Sequence, residues 1–241
     1  MAKKTIIYNN NHFEIAYEIL NPKATTACVI LHGWGSNKNI MKKGFGSYLN
    51  EYKHIYIDLP GFGSSTTDVA LTTKEYAKII QLFLEHLHVN ATIAIGHSFG
   101  GKVATLLNPE LLVLVASAGV VVPKTTTTKF KIQTFKLLKN LGLSSLRNYF
   151  VASDAKNLPE QMYTTFKNVV DEDFSYGFSS FTNTALLFWG KNDTATPLET
   201  TKVIQKIIPK STLYTYNGDH YFFLQHQEDI ARKIREQYER I

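Results

Sequence analysis

Cysteine is nearly absent from this chain of 241 residues: Cys28 is the only one. A single thiol excludes an intrachain disulfide framework and agrees with a reducing compartment. Cys28 lies in the apolar run Ala27-Cys28-Val29-Ile30-Leu31 with no acid–base partner beside it, the setting of a buried structural thiol rather than a nucleophile. Arginine is scarce as well. Arg147, Arg232, Arg235 and Arg240 are the only four, so the net charge of +6 rests on lysine. Nucleic-acid binding calls for an arginine-rich stripe interleaved with exposed aromatics, and none is visible. Long hydrophobic runs are missing too: the longest, Leu111 to Pro123, is too short to span a bilayer and reads as a buried strand. The opening residues Met1 to Asn10 carry lysines but no apolar signal core or small-residue cleavage site, which makes cytoplasm the expected location. There is no internal repeat, low-complexity tract or Pro/Gly-rich linker. What remains is 44% hydrophobic and 19% charged, proportions of a soluble globular protein, and long enough for one α/β domain with an insertion.

The order of elements carries the fold. Thr5–Tyr8 and Phe13–Leu20 read as an antiparallel pair turned at Asn9-Asn10-Asn11. Alternation follows: strand Ala27–Leu31, a helical stretch near Lys42–Asn50, strand His54–Asp58, helix Thr73–Leu87, strand Thr92–Ile95, helix Lys102–Leu107 and strand Leu111–Ala116. Strands that are apolar throughout and separated by helices imply a mostly parallel sheet with helices on both faces. From Lys124 to Phe181 the alternation stops, leaving the amphipathic helix Lys129–Leu141 and a second helix, Leu158–Val170. It resumes with strand Thr184–Trp189, helix Thr200–Ile208, strand Thr212–Tyr216 and helix Asp229–Ile241. An insertion of about sixty residues is too long for a connecting loop. The expectation is a core of residues 1–123 and 182–241 with a helical lid, 124–181, inserted between two core strands.

The chemistry concentrates at strand ends, where such sheets bind ligands. Gly96-His97-Ser98-Phe99-Gly100 follows an apolar strand and precedes a helix, the setting of a nucleophile elbow. A serine nucleophile needs a base within hydrogen-bond reach and a carboxylate to orient that base. Asp193 follows the strand ending at Trp189, and His220 follows the next strand, giving the chain order Ser98, Asp193, His220. The competitors fit less well. His97 sits inside the elbow, its side chain pointing away from the hydroxyl; Asp219 adjoins His220 and diverges from it. His226 reads as a surface or packing residue, and Asp171 and Asp173 as capping or surface charges. His32-Gly33-Trp34-Gly35 supplies a loop whose glycines allow close backbone approach, and the N–H groups of Trp34 and Phe99 are the natural donors to an oxyanion. His32 is expected to hydrogen-bond within that loop, the Trp34 side chain to line the pocket, and Asp58 to fix the loop Asp58 to Ser65.

Taken together, HGWG at 32–35, DLPGFGSS at 58–65, GHSFGG at 96–101, WGKNDTATP at 189–197 and GDH at 218–220 resemble the α/β-hydrolase superfamily nearly end to end. Within it the chain looks like the small bacterial members grouped with meta-cleavage-product hydrolases, which split a carbon–carbon bond in 2-hydroxy-6-oxo-dienoates. HGWG and DLPGFG also look like the esterase that releases methanol from pimeloyl-carrier-protein methyl ester. The resemblance implies an α/β-hydrolase fold and a Ser98-His220-Asp193 triad. Two departures stand against the carbon–carbon hydrolases. The second lid helix has no arginine to hold a substrate carboxylate, and Tyr221 stands where a tryptophan is usual after the histidine. Arg147 or a lysine is the candidate replacement for that arginine, and Tyr221 and Trp34 are carried forward with it as substrate-binding residues.

The expected function is therefore serine hydrolysis of a small carbonyl substrate, first a carboxylic ester and second a dienoate, with no metal or organic cofactor. A histidine base works only while neutral, so activity is expected to fall at low pH. A non-catalytic small-ligand receptor on the same fold is the reading from a different class. Between Lys124 and Val170, seven lysines and Arg147 face only Asp154 and Glu160, a charge that would attract an anionic substrate or an acidic carrier protein.

Overall fold

A computed structural model describes residues 2–121 and 158–241 of the chain. The predicted helix Lys129–Leu141 and Arg147 lie outside these residues. Eight strands form one sheet in the order β1-β2-β4-β3-β5-β6-β7-β8. β1 (Ala2–Tyr8) and β2 (Asn11–Leu20) pair antiparallel, and β2 meets β4 (Lys53–Ile57) antiparallel. From β4 onward every pairing is parallel, through β3 (Ala27–Leu31), β5 (Ile93–His97), β6 (Leu111–Val115), β7 (Thr184–Gly190) and β8 (Ser211–Tyr216). Every residue of β3, β5 and β6 is buried, as uninterrupted apolar strands covered on both faces require. β8, at the edge, has only half-buried and exposed positions, with Thr212 and Thr215 exposed.

The helices are set by their caps. α1 (Lys38–Phe45) begins four residues before the predicted helical stretch, because the Asn37 side chain accepts the Asn39 N–H, and the chain turns out at Gly46. α2 (Thr73–His86) opens with a reciprocal capping box between Thr72 and Glu75 and buries Tyr76, Ile79, Ile80 and Phe83. α3 (Phe99–Leu106) starts directly after Ser98. α4 (Glu160–Val169) and the short α5 (Ser175–Ser179) follow, then α6 (Leu198–Ile207) and α7 (Gln227–Tyr238). A 3-10 turn at Phe222–Leu224, not foreseen from sequence, buries Phe222 and Phe223 behind the loop that carries His220.

The register aligns the ends of the parallel strands. Leu31 pairs with Ile57 and Gly96, Val115 with Phe188, and Gly190 with Tyr216. The loops after β3, β5, β7 and β8 therefore emerge along one edge. α4 is fastened near that edge: Thr165 Oγ accepts the Leu71 N–H at 2.9 Å, and Asn168 donates to the Leu71 carbonyl at 3.3 Å. Among the described residues, no helix is long and apolar enough to cross a membrane.

Candidate active site

Ser98 sits at φ 50°, ψ −118°, a left-handed conformation that a residue with a side chain adopts only under constraint. The constraint is visible. Its N–H donates to Val115 O at 3.0 Å, while its carbonyl accepts Gly101 N at 3.0 Å and Ala118 N at 3.1 Å. The flanking glycines are required by close approach: a Cβ on Gly96 would lie 2.4 Å from Gly100 O, and one on Gly100 would lie 2.5 Å from His32 O.

Asp193 and His220 meet directly. The Asp193 carboxylate is buried and can only accept, so His220 Nδ1–H donates to Asp193 Oδ2, at 2.8 Å, leaving Nε2 as the free ring nitrogen. The other lone pairs are satisfied: Ala195 N and Thr196 N donate to Oδ1 at 2.8 and 2.9 Å, and Thr196 Oγ approaches Oδ2 at 2.8 Å. Burial works to raise the Asp193 carboxyl, but the hydrogen bonds from His220 and Thr196 outweigh it and hold the group below the usual carboxylate range. The link to Ser98 runs through its neighbour. His97 Nε2–H donates to the His220 carbonyl at 3.0 Å, and the two imidazoles lie 4.6 Å apart. No hydrogen bond joins Ser98 Oγ to His220 among the described residues; such contacts commonly tighten only around substrate.

The sequence marks His97 only as a competitor set aside for the base and gives no role to Thr196. His97 is buried, its Nδ1 has no hydrogen-bond partner among the described residues, and burial with the neighbouring His220 pushes its pKa down to about 3, so it is a neutral spacer behind the His220 loop. A signal for Thr196 was present: an Asp followed three residues later by Thr at a strand end is a pattern of local side-chain hydrogen bonding.

Of the two predicted donors, Trp34 lies in the loop after β3 and Phe99 opens α3 after β5. Neither the Trp34 nor the Phe99 N–H is consumed by a hydrogen bond among the described residues. His32 keeps the loop in shape, its Nδ1–H donating to Gly33 O at 2.7 Å and its Nε2 accepting Leu59 N at 3.0 Å; burial pushes its pKa down to about 4. Asp58 is engaged in its own loop, accepting from Lys38 Nζ at 2.6 Å, Lys38 N at 2.7 Å and Ser64 N at 2.9 Å. Asp219 accepts Tyr221 N at 2.8 Å and so turns away from His220. His226 lies at the start of α7, its Nε2–H donating to Asn217 O at 2.8 Å.

A cavity of about 180 Å³ opens beside Ser98, lined by Trp34, Phe99, Lys102, Phe166 and Thr196 among others. Trp34 packs there on Phe62, Phe99 and Phe166, with ring centroids 4.8, 6.1 and 5.4 Å away. Tyr221, expected to bind substrate, is not brought into this cavity. It is 41% exposed, packs against His97 and His220, and borders a separate open groove with Asn37, Lys43 and Leu224. Among the described residues, no cluster of three or more His, Cys, Asp or Glu side chains could hold a metal ion.

With this arrangement in hand, the chain can be set against known proteins. The profile described as "Alpha/beta hydrolase family" matches residues 28–233. The chain belongs to that family. It is an enzyme with hydrolase activity. The uncharacterized hydrolase YugF of Bacillus subtilis is 28% identical, over 83% of this chain and 85% of its own. The pimeloyl-[acyl-carrier protein] methyl ester esterase of Photobacterium profundum is 25% identical, over 86% and 92%. Among solved structures, the esterase EaEST from Exiguobacterium antarcticum superposes with a TM-score of 0.73 at 22% identity, covering 95% of this chain and 96% of that one. The superposition agrees with the α/β fold described above.

Proposed function

We propose that this hydrolase is a serine esterase in which Ser98 is the nucleophile, His220 the general base and Asp193 the group that orients and balances it. The single observation that carries this reading is the 2.8 Å bond from His220 Nδ1 to a buried Asp193 carboxylate, on a loop that His97 ties to the strained Ser98 turn. The bond fixes the tautomer, so Nε2 is left to take the Ser98 proton as the hydroxyl attacks an ester carbonyl. Asp193 stays ionised and compensates the imidazolium. The N–H groups of Trp34 and Phe99 stabilise the oxyanion; one such donor typically contributes about 3–4 kcal/mol in the transition state. The imidazolium then protonates the departing alcohol, and a water activated by the same nitrogen releases the acid.

Residues 124–181 act as the lid in this reading, with Phe166 of α4 closing on Trp34. The small ester substrate is supported by the esterases among the relatives, and a methyl ester on an acyl carrier protein belongs among the candidates on the same ground. The lysine-rich segment starting at Lys124 supports attraction of such an acidic carrier.

Turnover of wild type and Ser98→Ala on aryl esters of increasing acyl length, a 2-hydroxy-6-oxo-dienoate and a carrier-protein methyl ester tests the reading. Ester turnover that Ser98→Ala abolishes is the expected result. Dienoate cleavage far exceeding ester turnover would contradict it.

A further inference from the structure

The cavity beside Ser98 contains a buried cation. Lys102, on α3, is 1% exposed and lines the cavity together with Phe99, Phe166 and Val169. Its ammonium is engaged: it donates to Val169 O at 2.6 Å and to Glu172 Oε2 at 2.8 Å, and it lies 5.4 Å from the Phe99 ring centroid. Glu172 is held in turn by the Thr73 hydroxyl. Burial lowers the pKa of Lys102, and the Glu172 carboxylate opposes that shift.

The position of the cavity decides which half of an ester it receives. Ser98, Trp34 and Phe99 line it, whereas His220 does not. The leaving alcohol has to be protonated from His220 Nε2, so it departs on the His220 side, and the cavity is left for the acyl group. At about 180 Å³ the cavity has room for a short acyl group.

We propose, on the basis of the esterase reading above, that the Lys102–Glu172 pair makes this an acyl site for uncharged groups. An acyl chain ending in a carboxylate would enter a mostly apolar cavity whose lining cation among the described residues, Lys102, is already neutralised, and at that ammonium it would meet the Glu172 carboxylate bound there from the adjoining cavity. A buried charge without its own counter-ion is strongly disfavoured, and two carboxylates sharing one site repel. Sign selectivity would thus come from Glu172, which pairs with the cation, and not from the presence of the cation alone. The excess of lysines after Lys124 points the other way, toward anions, so the proposal separates attraction at the surface from acceptance at the acyl site.

Three methyl esters of matched length test it at neutral pH: the glutaric acid monoanion, its primary amide and pentanoate, with methanol release as readout. Wild type is expected to favour the amide and pentanoate over the monoanion by at least about 100-fold in kcat/KM. Glu172→Gln keeps the shape and frees Lys102, and should shrink that ratio at least about tenfold. The double change Lys102→Met with Glu172→Leu removes both charges and should restore rejection of the anion, which separates a freed cation from a loosened cavity. The proposal is overturned if wild type accepts the monoanion as well as the amide, or if folded Glu172→Gln leaves the ratio unchanged. Absence of turnover on all three esters removes the ester reading itself, and the charge rule with it.

Discussion

Asp58 and Asp193 occupy matching places, each buried just beyond the end of a parallel strand, β4 and β7 respectively, yet they are surrounded by different chemistry. Asp58 meets the ammonium of Lys38 at 2.6 Å and two backbone N–H groups. Asp193 meets two backbone N–H groups, a hydroxyl and an imidazole. A permanent cation makes the first carboxylate an anchor for its loop. A partner that can be neutral or charged makes the second able to support a proton transfer, because its charge is uncompensated until the imidazole takes up a proton.

The largest expected effect follows from exchanging the charge at Asp193. Asp193→Asn should lower turnover by about 10⁴-fold while the protein stays folded, since an amide no longer fixes the base tautomer. Steady-state kinetics beside circular dichroism would show this; a loss below tenfold would erase the distinction between the two aspartates. Asp58→Asn should do the reverse. Leaving Lys38 buried against a neutral amide should cost about 3–5 kcal/mol of stability in urea unfolding, while kcat of the folded fraction changes only a few-fold.

A smaller effect arises from the histidines that flank the two carboxylates. His32 is linked to the Asp58 loop and His97 to the His220 loop, and both are buried and neutral, with pKa values lowered from 6.5 to about 4 and about 3. The unfolded chain binds these protons below about pH 6.5 and the folded chain does not, so stability is fully present above that pH and is lost as pH falls toward 4. The loss should approach about 1.4 kcal/mol per pH unit for each histidine. His97→Gln should take one proton out of that slope, measured by unfolding across this pH range. An unchanged slope would show that His97 titrates alike in both states. Smallest is Thr196→Val, which removes the hydroxyl from Asp193 Oδ2 but leaves both backbone donors on Oδ1. About a tenfold loss of turnover is expected, on the scale of one hydrogen bond to a charged group.

The sheet and the strand-end positions of Ser98, Asp193 and His220 were legible because they depend on local signals: apolar runs, glycines at tight turns and short motifs following strands. The start of α1 was misplaced by four residues because its cap, Asn37, falls outside the apolar period that marked the helix. Tyr221 is a substrate-binding candidate through the family position after the histidine, and which groove that position borders depends on packing that the motif does not encode. The pairing of Lys102 with Glu172 joins residues 70 apart in the chain, and no local pattern announces a contact that the packing of α3 against the segment after α4 creates. What touches the acyl group is long-range geometry, whereas what attacks it is local.

The central claim is that Ser98 is the activated nucleophile of the Asp193–His220 pair. Intact-mass and peptide mapping after treatment with a fluorophosphonate test it most directly. One adduct, located on Ser98, absent from Ser98→Ala and formed far more slowly in His220→Ala, is the predicted result. Folded wild type that takes up no adduct, or takes it up equally in Ser98→Ala, would contradict the account.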